Sequence, residues 1–234
     1  MIIQIQPWIN ELELEELTKV INSTFITENS MTKEFESMTR DLTGAKYAIS
    51  VANGTLGLYC ALLALEIGPG DEVLVPDMTF IASANAVIMA GAKPVLCDID
   101  QHSLGISIKS LSSKLSNKTK AIMPVHLYGN TAEMDFILKF AKEHNLKVIE
   151  DASQGVGVHY KGRHVGTFGD IGVLSYYGNK TITTAEGGMI ITNDEDLAKI
   201  CYRLKNHGRD QKGSFKHDYI GFNFSFTDLQ AAVG

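Results

Sequence analysis

The chain has 234 residues, with 21 lysines and arginines against 27 aspartates and glutamates, and a formal net charge of −6. Hydrophobic residues make up 44% and charged residues 21%, which excludes a disordered, fibrous or low-complexity protein. The acidic balance argues against nucleic acid as the main partner, and no apolar run reaches the roughly 20 residues of a membrane span.

Helical stretches and short apolar strands alternate along the chain. Helices are predicted first over 11–22 and 32–42, the second with Thr32 as N-cap and with Phe35 and Met38 facing inward. The predicted strands are 47–51, 72–75, 93–97, 120–125, 147–150, 171–176 and 188–192. The helices predicted among and after them are 56–65, 80–89, 132–143, 194–205 and 227–233.

This order of elements predicts an α/β fold in three layers, α/β/α, with a mostly parallel central sheet covered on both faces. The strands are apolar rather than alternating, as is typical of strands buried on both faces. Right-handed crossovers place the carboxyl ends of parallel strands along one edge, where ligands bind. Each polar cluster described below follows a predicted strand, so we expect these clusters to share that edge.

The N-terminus and the cysteines indicate the cellular compartment, and the last helix indicates whether more polypeptide is expected. Residues 1–10 have neither the basic start nor the apolar core of a secretion signal. Cys60, Cys97 and Cys201 form no CxxC pair, which favours free thiols in a reducing cytoplasm. The helix capped by Thr227 is cut short at Gly234 and is marginal alone, so we expect more polypeptide to follow in the parent protein.

Two of the clusters could bind the phosphate and the ring of a ligand. Asn53-Gly54-Thr55 opens a helix after the first strand, where backbone amides, the helix dipole and the Thr55 hydroxyl can bind an anion. An ordinary capped turn is the alternative. Phe80, after the second strand, could stack on a planar ring or could simply pack at the start of its helix.

Two further clusters could supply acid–base and covalent chemistry. At the end of the fifth strand, Asp151 could pair with a cationic ring nitrogen; the alternative is a capping Asp151 preceded by a solvated Glu150. Lys180 follows Ser175 and lies among small and polar residues before a Gly-Gly turn. A desolvated lysine can lose its proton and form a Schiff base with an aldehyde, whereas a surface lysine is the common alternative.

The clusters combine into the pattern of one cofactor. An anion-binding turn, an aromatic ring, an acid with Gln154, and a lysine follow one another in chain order. These match the phosphate, flat ring, ring nitrogen and aldehyde of pyridoxal 5′-phosphate (PLP). His126, which follows another strand, could lie near a ligand but is interpreted as a satisfied core histidine. The histidines show no metal-binding spacing, so no metal is expected.

In this order the motifs resemble the DegT/DnrJ/EryC1/StrS family of sugar aminotransferases, from about residue 25 to residue 234. The resemblance is carried by Asn53-Gly54-Thr55, 68–73, 94–98, 150–154, Lys180 and 184–188. It implies the aspartate-aminotransferase type I fold. Residues 1–24 would form an N-terminal helical segment and 25–234 the large PLP-binding domain, with a C-terminal small domain missing from this chain.

The resemblance also implies the roles of individual residues. Lys180 would join the cofactor aldehyde, and Asp151 would pair with the pyridine nitrogen. The remaining cofactor contacts would be Gln154 at the ring hydroxyl, Phe80 on the ring face, Gly54, Thr55 and Ser175 at the phosphate, and Asn223 at the phosphate of the neighbouring subunit. A homodimer with shared active sites follows. Family members often have Arg and His where this chain has Ser225 and Tyr177.

The run 177–184 looks most like the perosamine-synthase branch, which aminates carbon 4 of a nucleotide-linked 4-keto-6-deoxy sugar. The implied donor is glutamate, the implied second cofactor form is pyridoxamine 5′-phosphate, and the implied pathways build cell-surface polysaccharide, including lipopolysaccharide. The alternatives are amination of a UDP- or dTDP-linked keto sugar at carbon 4 or 3, a non-catalytic PLP-binding regulatory homologue, and a doubly wound domain without cofactor. A dehydratase branch carries His in place of the lysine, so Lys180 argues against it.

Overall fold

A computed structural model of the chain describes residues 5–210 and 213–234. The helices are α1 (Glu11–Ser23), α2 (Ser30–Thr43), α3 (Gly54–Ala64), α4 (Ala82–Met89), α5 (Ile108–Lys114), α6 (Met134–Glu143), α7 (Glu195–Lys205) and α8 (Asp228–Val233). The strands are β1 (Tyr47–Val51), β2 (Glu72–Pro76), β3 (Lys93–Cys97), β4 (Thr119–Ile122), β5 (Lys147–Asp151), β6 (His159–Tyr160), β7 (Arg163–His164), β8 (Ile171–Ser175) and β9 (Gly188–Thr192). A short 3-10 turn spans Leu127–Gly129.

Seven strands form one central sheet in the order β1-β9-β8-β5-β4-β2-β3, and β6 pairs with β7 in a separate hairpin. Among the strands described, β9 alone runs antiparallel to its neighbours in the central sheet, which are β1 and β8. The other pairings in that sheet are parallel. The mostly parallel sheet is therefore confirmed, and the carboxyl ends of its parallel strands meet at one edge.

Helices cover both faces of the sheet. In β2, Leu74 packs into a core shared with α2, α5, α6 and α8, whereas Val73 and Val75 pack into a second core shared with α3, α4 and α7. The same alternation continues in β8, where Leu174 and Val173 belong to opposite cores. The expected three layers, α/β/α, are thus confirmed.

Helix α3 lies against the centre of the sheet because Gly57 has no side chain. A Cβ atom there would lie 2.7 Å from Cγ1 of Val173 in β8. Gly57 thus allows α3 to pack closely on the sheet. The first turn of α3 lies at the carboxyl edge because it directly follows β1, which ends at Val51.

The start of α2 differs from the prediction. Its N-cap is Asn29, whereas Thr32 lies inside the first turn and donates both its N–H and its hydroxyl to the buried Asp228 carboxylate. Phe35 is buried as predicted, but Met38 is 58% exposed and does not face inward. A carboxylate 196 residues away in the sequence therefore caps this helix, and no local pattern reveals that.

Other differences have local causes. Strand β4 ends at Ile122, before Pro124, which has no N–H for a strand ladder. Helix α4 begins at Ala82 rather than at Phe80. Helix α5 was not predicted, because three of its seven residues are serines. The β6–β7 hairpin was not predicted, because each of its strands is only two residues long.

Helix α1 packs against α8, at the other end of the chain. Residues 1–4 of the predicted segment 1–24 lie outside the described residues, and the division into 1–24 and 25–234 stays a prediction. Among the residues described, no helix has both the length and the apolar composition that a bilayer span requires.

Candidate active site

A cavity of about 590 Å³ opens at the carboxyl edge of the sheet. It is lined by the segments that follow β1, β2, β4, β5 and β8. The structure brings together seven of the eight residues expected to contact the cofactor: Gly54, Thr55, Phe80, Asp151, Gln154, Ser175 and Lys180. The polar clusters that follow separate strands thus share one site, as their positions in the sequence predict.

The first turn of α3 forms one wall of the cavity. Asn53 caps the helix, and its Oδ1 accepts the N–H of Leu56 at 2.9 Å. A Cβ on Gly54 would lie 3.1 Å from Cβ of Ser175, and one on Gly188 would lie 2.6 Å from the carbonyl carbon of Asn53. The turn is therefore pressed against the ends of β8 and β9, and the helix N-terminus with its hydroxyl neighbours suits a phosphate.

Asp151 ends β5 and is 4% exposed. Its Oδ2 accepts the Ser83 hydroxyl at 2.7 Å, and its Oδ1 accepts the N–H of Ser153 at 3.1 Å. Within the part of the chain that the structure describes, it belongs to none of the ion pairs. A buried carboxylate that accepts hydrogen bonds but is not engaged in a close ion pair can bind a protonated ring nitrogen.

Lys180 lies half-buried in the same cavity. Burial lowers the pKa of the Lys180 amine, and the nearby charge of Asp151 opposes this by raising it. Because the net direction is downward, more of this amine is neutral at a given pH than of an ordinary lysine. The neutral amine is the form that attacks an aldehyde, so the residue differs from the fully solvated lysine of the alternative interpretation.

Phe80 and Gln154 face the cavity from two other segments. Phe80 is 67% exposed, so it does not pack as a core residue at the start of α4. The Oε1 atom of Gln154 accepts the N–H of Tyr128 at 2.7 Å, where Tyr128 holds a left-handed φ of 54°. Because Oε1 can only accept, the Nε2 hydrogens of Gln154 are the groups that can donate to a ligand oxygen.

Asn223 lies apart from these seven residues. Its exposed side chain lines a separate cavity of about 450 Å³, together with Asn206 and Ser225. Its Oδ1 accepts the N–H of Ser225 at 3.3 Å. Within one chain it therefore does not join Lys180, and its expected contact with the phosphate of a neighbouring subunit stays a prediction.

Glu150 is wholly buried, so the alternative of a solvated glutamate is wrong. Its carboxylate accepts three backbone N–H groups of one loop, those of Gly166, Phe168 and Gly169, at 2.6–2.7 Å. These donors lie 16 to 19 residues further along the chain, so no local sequence signal identifies them. The same holds for Ser83, which contacts Asp151 across 68 residues of sequence and was not singled out. Ser153, by contrast, lies only two residues after Asp151.

His126 is a buried core histidine, as interpreted from the sequence. Its Nδ1 accepts the N–H of Ala132 at 3.2 Å, so Nε2 carries the hydrogen that points to Glu150 at 3.0 Å. Residues 5–210 and 213–234 contain no group of three or more His, Cys, Asp or Glu side chains that could hold a metal ion.

Comparison with known proteins places the site in context. A profile described as the DegT/DnrJ/EryC1/StrS aminotransferase family matches residues 7–234. A protein named GDP-perosamine synthase from Escherichia coli O157:H7 is 44% identical over 230 residues, which are 98% of this chain and 63% of that protein. One of the same name from Caulobacter vibrioides is 49% identical over 201 residues, or 86% and 54% of the two chains.

A solved structure is similar throughout the chain. The crystal structure of NtdA from Bacillus subtilis with bound cofactor PMP superimposes with a TM-score of 0.89 and 35% identity. The match covers 95% of this chain and 51% of that one. The chain therefore spans between half and two thirds of the length of these similar proteins.

Proposed function

Because the chain belongs to the DegT/DnrJ/EryC1/StrS aminotransferase family, we propose that it forms the PLP-binding part of a sugar aminotransferase. The observation that carries this proposal is one cavity shared by Lys180, with its lowered pKa, and Asp151. The reaction moves an amino group from glutamate to carbon 4 of a nucleotide-linked 4-keto-6-deoxy sugar. The relatives named GDP-perosamine synthase favour a GDP-linked sugar.

The residues of the cavity fit PLP at each of its functional groups. When bound, PLP supplies an aldehyde that joins amines and a protonated ring that accepts electrons from the carbon beside the amine. Nζ of Lys180 would hold that aldehyde carbon in place of the aldehyde oxygen, which leaves as water, and, once displaced by the donor amine, would move a proton from the donor α-carbon to the cofactor. The Asp151 carboxylate keeps the proton on the ring nitrogen.

The remaining residues orient the group. Phe80 covers one ring face and excludes water from it. Nε2 of Gln154 donates to the ring oxygen. Gly54, Thr55 and Ser175 hold the phosphate at the first turn of α3.

We further propose a homodimer in which Asn223 of each subunit reaches the phosphate bound by the other. The exposed position of Asn223, away from the cavity of its own chain, supports this arrangement. A cytoplasmic enzyme fits the free, buried thiols of Cys60, Cys97 and Cys201. Its product would serve the synthesis of cell-surface polysaccharide.

The first test concerns the cofactor. The full-length protein incubated with PLP should gain a visible absorption band that glutamate bleaches, and borohydride should attach the cofactor covalently. Lys180→Ala should abolish both the band and the attachment, whereas Lys199→Ala, at an exposed lysine of α7, should leave both unchanged. A persistent band in the Lys180→Ala protein would contradict the proposed role of Lys180.

The second test concerns the substrate. The cofactor-loaded, full-length enzyme should aminate a GDP-linked 4-keto-6-deoxy sugar in the presence of glutamate, as measured by mass spectrometry of the nucleotide sugar. UDP- and dTDP-linked keto sugars serve as the comparison. Faster amination of either of these would replace the perosamine-synthase assignment with the alternative substrate class.

A further inference from the structure

We propose that Ser83 is a positioning residue for Asp151, an inference that rests on the proposed function. Ser83 lies in the first turn of α4 and is completely buried. Its hydroxyl donates to Oδ2 of Asp151 at 2.7 Å, across 68 residues of sequence. It is absent from the described lining of the cavity, so it acts on a ligand only through Asp151.

The direction of the hydrogen bonds follows from the single hydroxyl hydrogen of Ser83. Three possible acceptors lie within reach: Oδ2 of Asp151 at 2.7 Å, Oγ1 of Thr79 at 2.8 Å and the carbonyl oxygen of Phe80 at 3.3 Å. The hydrogen goes to the closest acceptor, the carboxylate, because hydrogen bonds to ionised groups are shorter and stronger. Oγ1 of Thr79, 2.8 Å from Oγ of Ser83, then donates to Ser83.

A directed chain therefore runs from Thr79 through Ser83 to Asp151. In such a chain each hydrogen bond polarises the next. Thr79 itself lines the cavity, and the neighbouring Phe80 presents its ring there. Hydrogen bonds thereby connect the segment of Thr79 and Phe80, proposed to cover the ring face, to Asp151, proposed to bind the ring nitrogen.

The second oxygen of Asp151 is held from another element. Oδ1 accepts the N–H of Ser153, in the turn that follows β5. Donors on both oxygens fix the rotation of the carboxylate, so that its remaining lone pairs keep one direction. Without the Ser83 hydroxyl, the Ser153 N–H would be the one donor left among the described residues to orient this group, and the carboxylate would hold a ring N–H less well.

The test compares Ser83→Ala with the unchanged full-length enzyme loaded with PLP. We expect kcat to fall and the dissociation constant of PLP to rise, each about tenfold, as for the loss of one hydrogen bond to a charged group. The KM for glutamate should change little. The PLP affinity, measured by absorbance titration, is a readout that does not depend on turnover. Ser83→Thr keeps the hydroxyl and should restore both quantities.

Ser110→Ala is the matched control. Ser110 is also a buried serine, 4% exposed, and its hydroxyl accepts the N–H of Asp98 at 2.9 Å, away from the cavity. It should leave kcat and PLP affinity unchanged. An equal loss in this variant would show that any buried serine matters, and would overturn the positioning role.

Thr79→Val tests the same hydrogen-bond chain at its other end. It should weaken PLP binding less than Ser83→Ala does, and it should add nothing in the Ser83→Ala background, since the chain is already broken there. Normal PLP affinity and kcat in Ser83→Ala would overturn the inference alone. Failure of the unchanged full-length protein to bind PLP would overturn both the proposed function and the inference.

Discussion

Lysine side chains in this protein have opposite electrostatic environments. Burial lowers the pKa of Lys180, whereas Asp135 raises that of Lys161 and Glu195 raises that of Lys199, both through hydrogen bonds from the ammonium group. At any pH below the ordinary range of lysine, a lowered pKa means a larger neutral fraction and a raised pKa a smaller one. Lys180 is therefore the more reactive amine near neutral pH.

This difference predicts selective modification. PLP at limiting concentration, followed by borohydride at neutral pH, should label Lys180 well ahead of Lys161 and Lys199, as read by peptide mass spectrometry. Raising the pH should reduce the preference, because the paired lysines then lose their protons as well. Equal labelling of all three at neutral pH would contradict the special environment of Lys180.

Individual site residues were predictable where a motif follows a strand. Gly54, Asp151 and Lys180 could be named because the chain order alone places them at one edge of the sheet. Ser83 and Glu150 could not, because their roles depend on hydrogen-bond partners that only the tertiary structure brings near.

At the scale of elements, Glu150 joins strand β5 to the loop 166–169. The loop lies close to the backbone of β5, since a Cβ on Gly169 would be 2.5 Å from the carbonyl oxygen of Val148. Its N–H groups point to the Glu150 carboxylate rather than to another strand. The loop is thus fastened by one side chain, and that side chain precedes Asp151 in the same strand.

Glu150→Gln should lower the free energy of unfolding by about 1–3 kcal/mol, because its amide group would face N–H donors that need an acceptor. Asp228→Asn is the comparison: its carboxylate accepts the N–H groups of Asn29, Met31 and Thr32, and a similar loss is expected there. Urea denaturation measures both.

The control for these two variants is Glu143→Gln, at an exposed glutamate of α6. It should change the free energy of unfolding by less than about 0.5 kcal/mol. If Glu150→Gln were no more destabilising than Glu143→Gln, the loop would not depend on the buried carboxylate.

For the whole molecule, the three layers followed from the alternation of strands and helices, but the place of β9 did not. β9 lies between β1 and β8 and runs against both. All five residues of β9, 188–192, are buried, and its sequence is therefore as apolar as the sequences of the parallel strands. Burial sets the composition of a strand, whereas its direction and neighbours depend on contacts distant in sequence.

The proposed homodimer predicts complementation between two inactive variants. Lys180→Ala and Asn223→Ala subunits of the full-length protein, refolded together in equal amounts, should regain about a quarter of the unchanged activity, because half of the dimers are mixed and each holds one intact site. Each variant alone should be nearly inactive. Full activity of Asn223→Ala alone, or no recovery on mixing, would contradict a site shared between subunits.

The pairing of β1 with β9 also determines when this sheet can be completed during synthesis of the chain. Tyr47 of β1 lies opposite Thr192 of β9, and Gly188 abuts the turn at Asn53. During synthesis on the ribosome, β9 cannot pair with β1 or pack against that turn until residue 192 has left the exit tunnel. The turn itself is translated well before that point. The turn proposed to bind the phosphate therefore gains its support late in synthesis, and a chain released before β9 is translated would leave β1 without this partner.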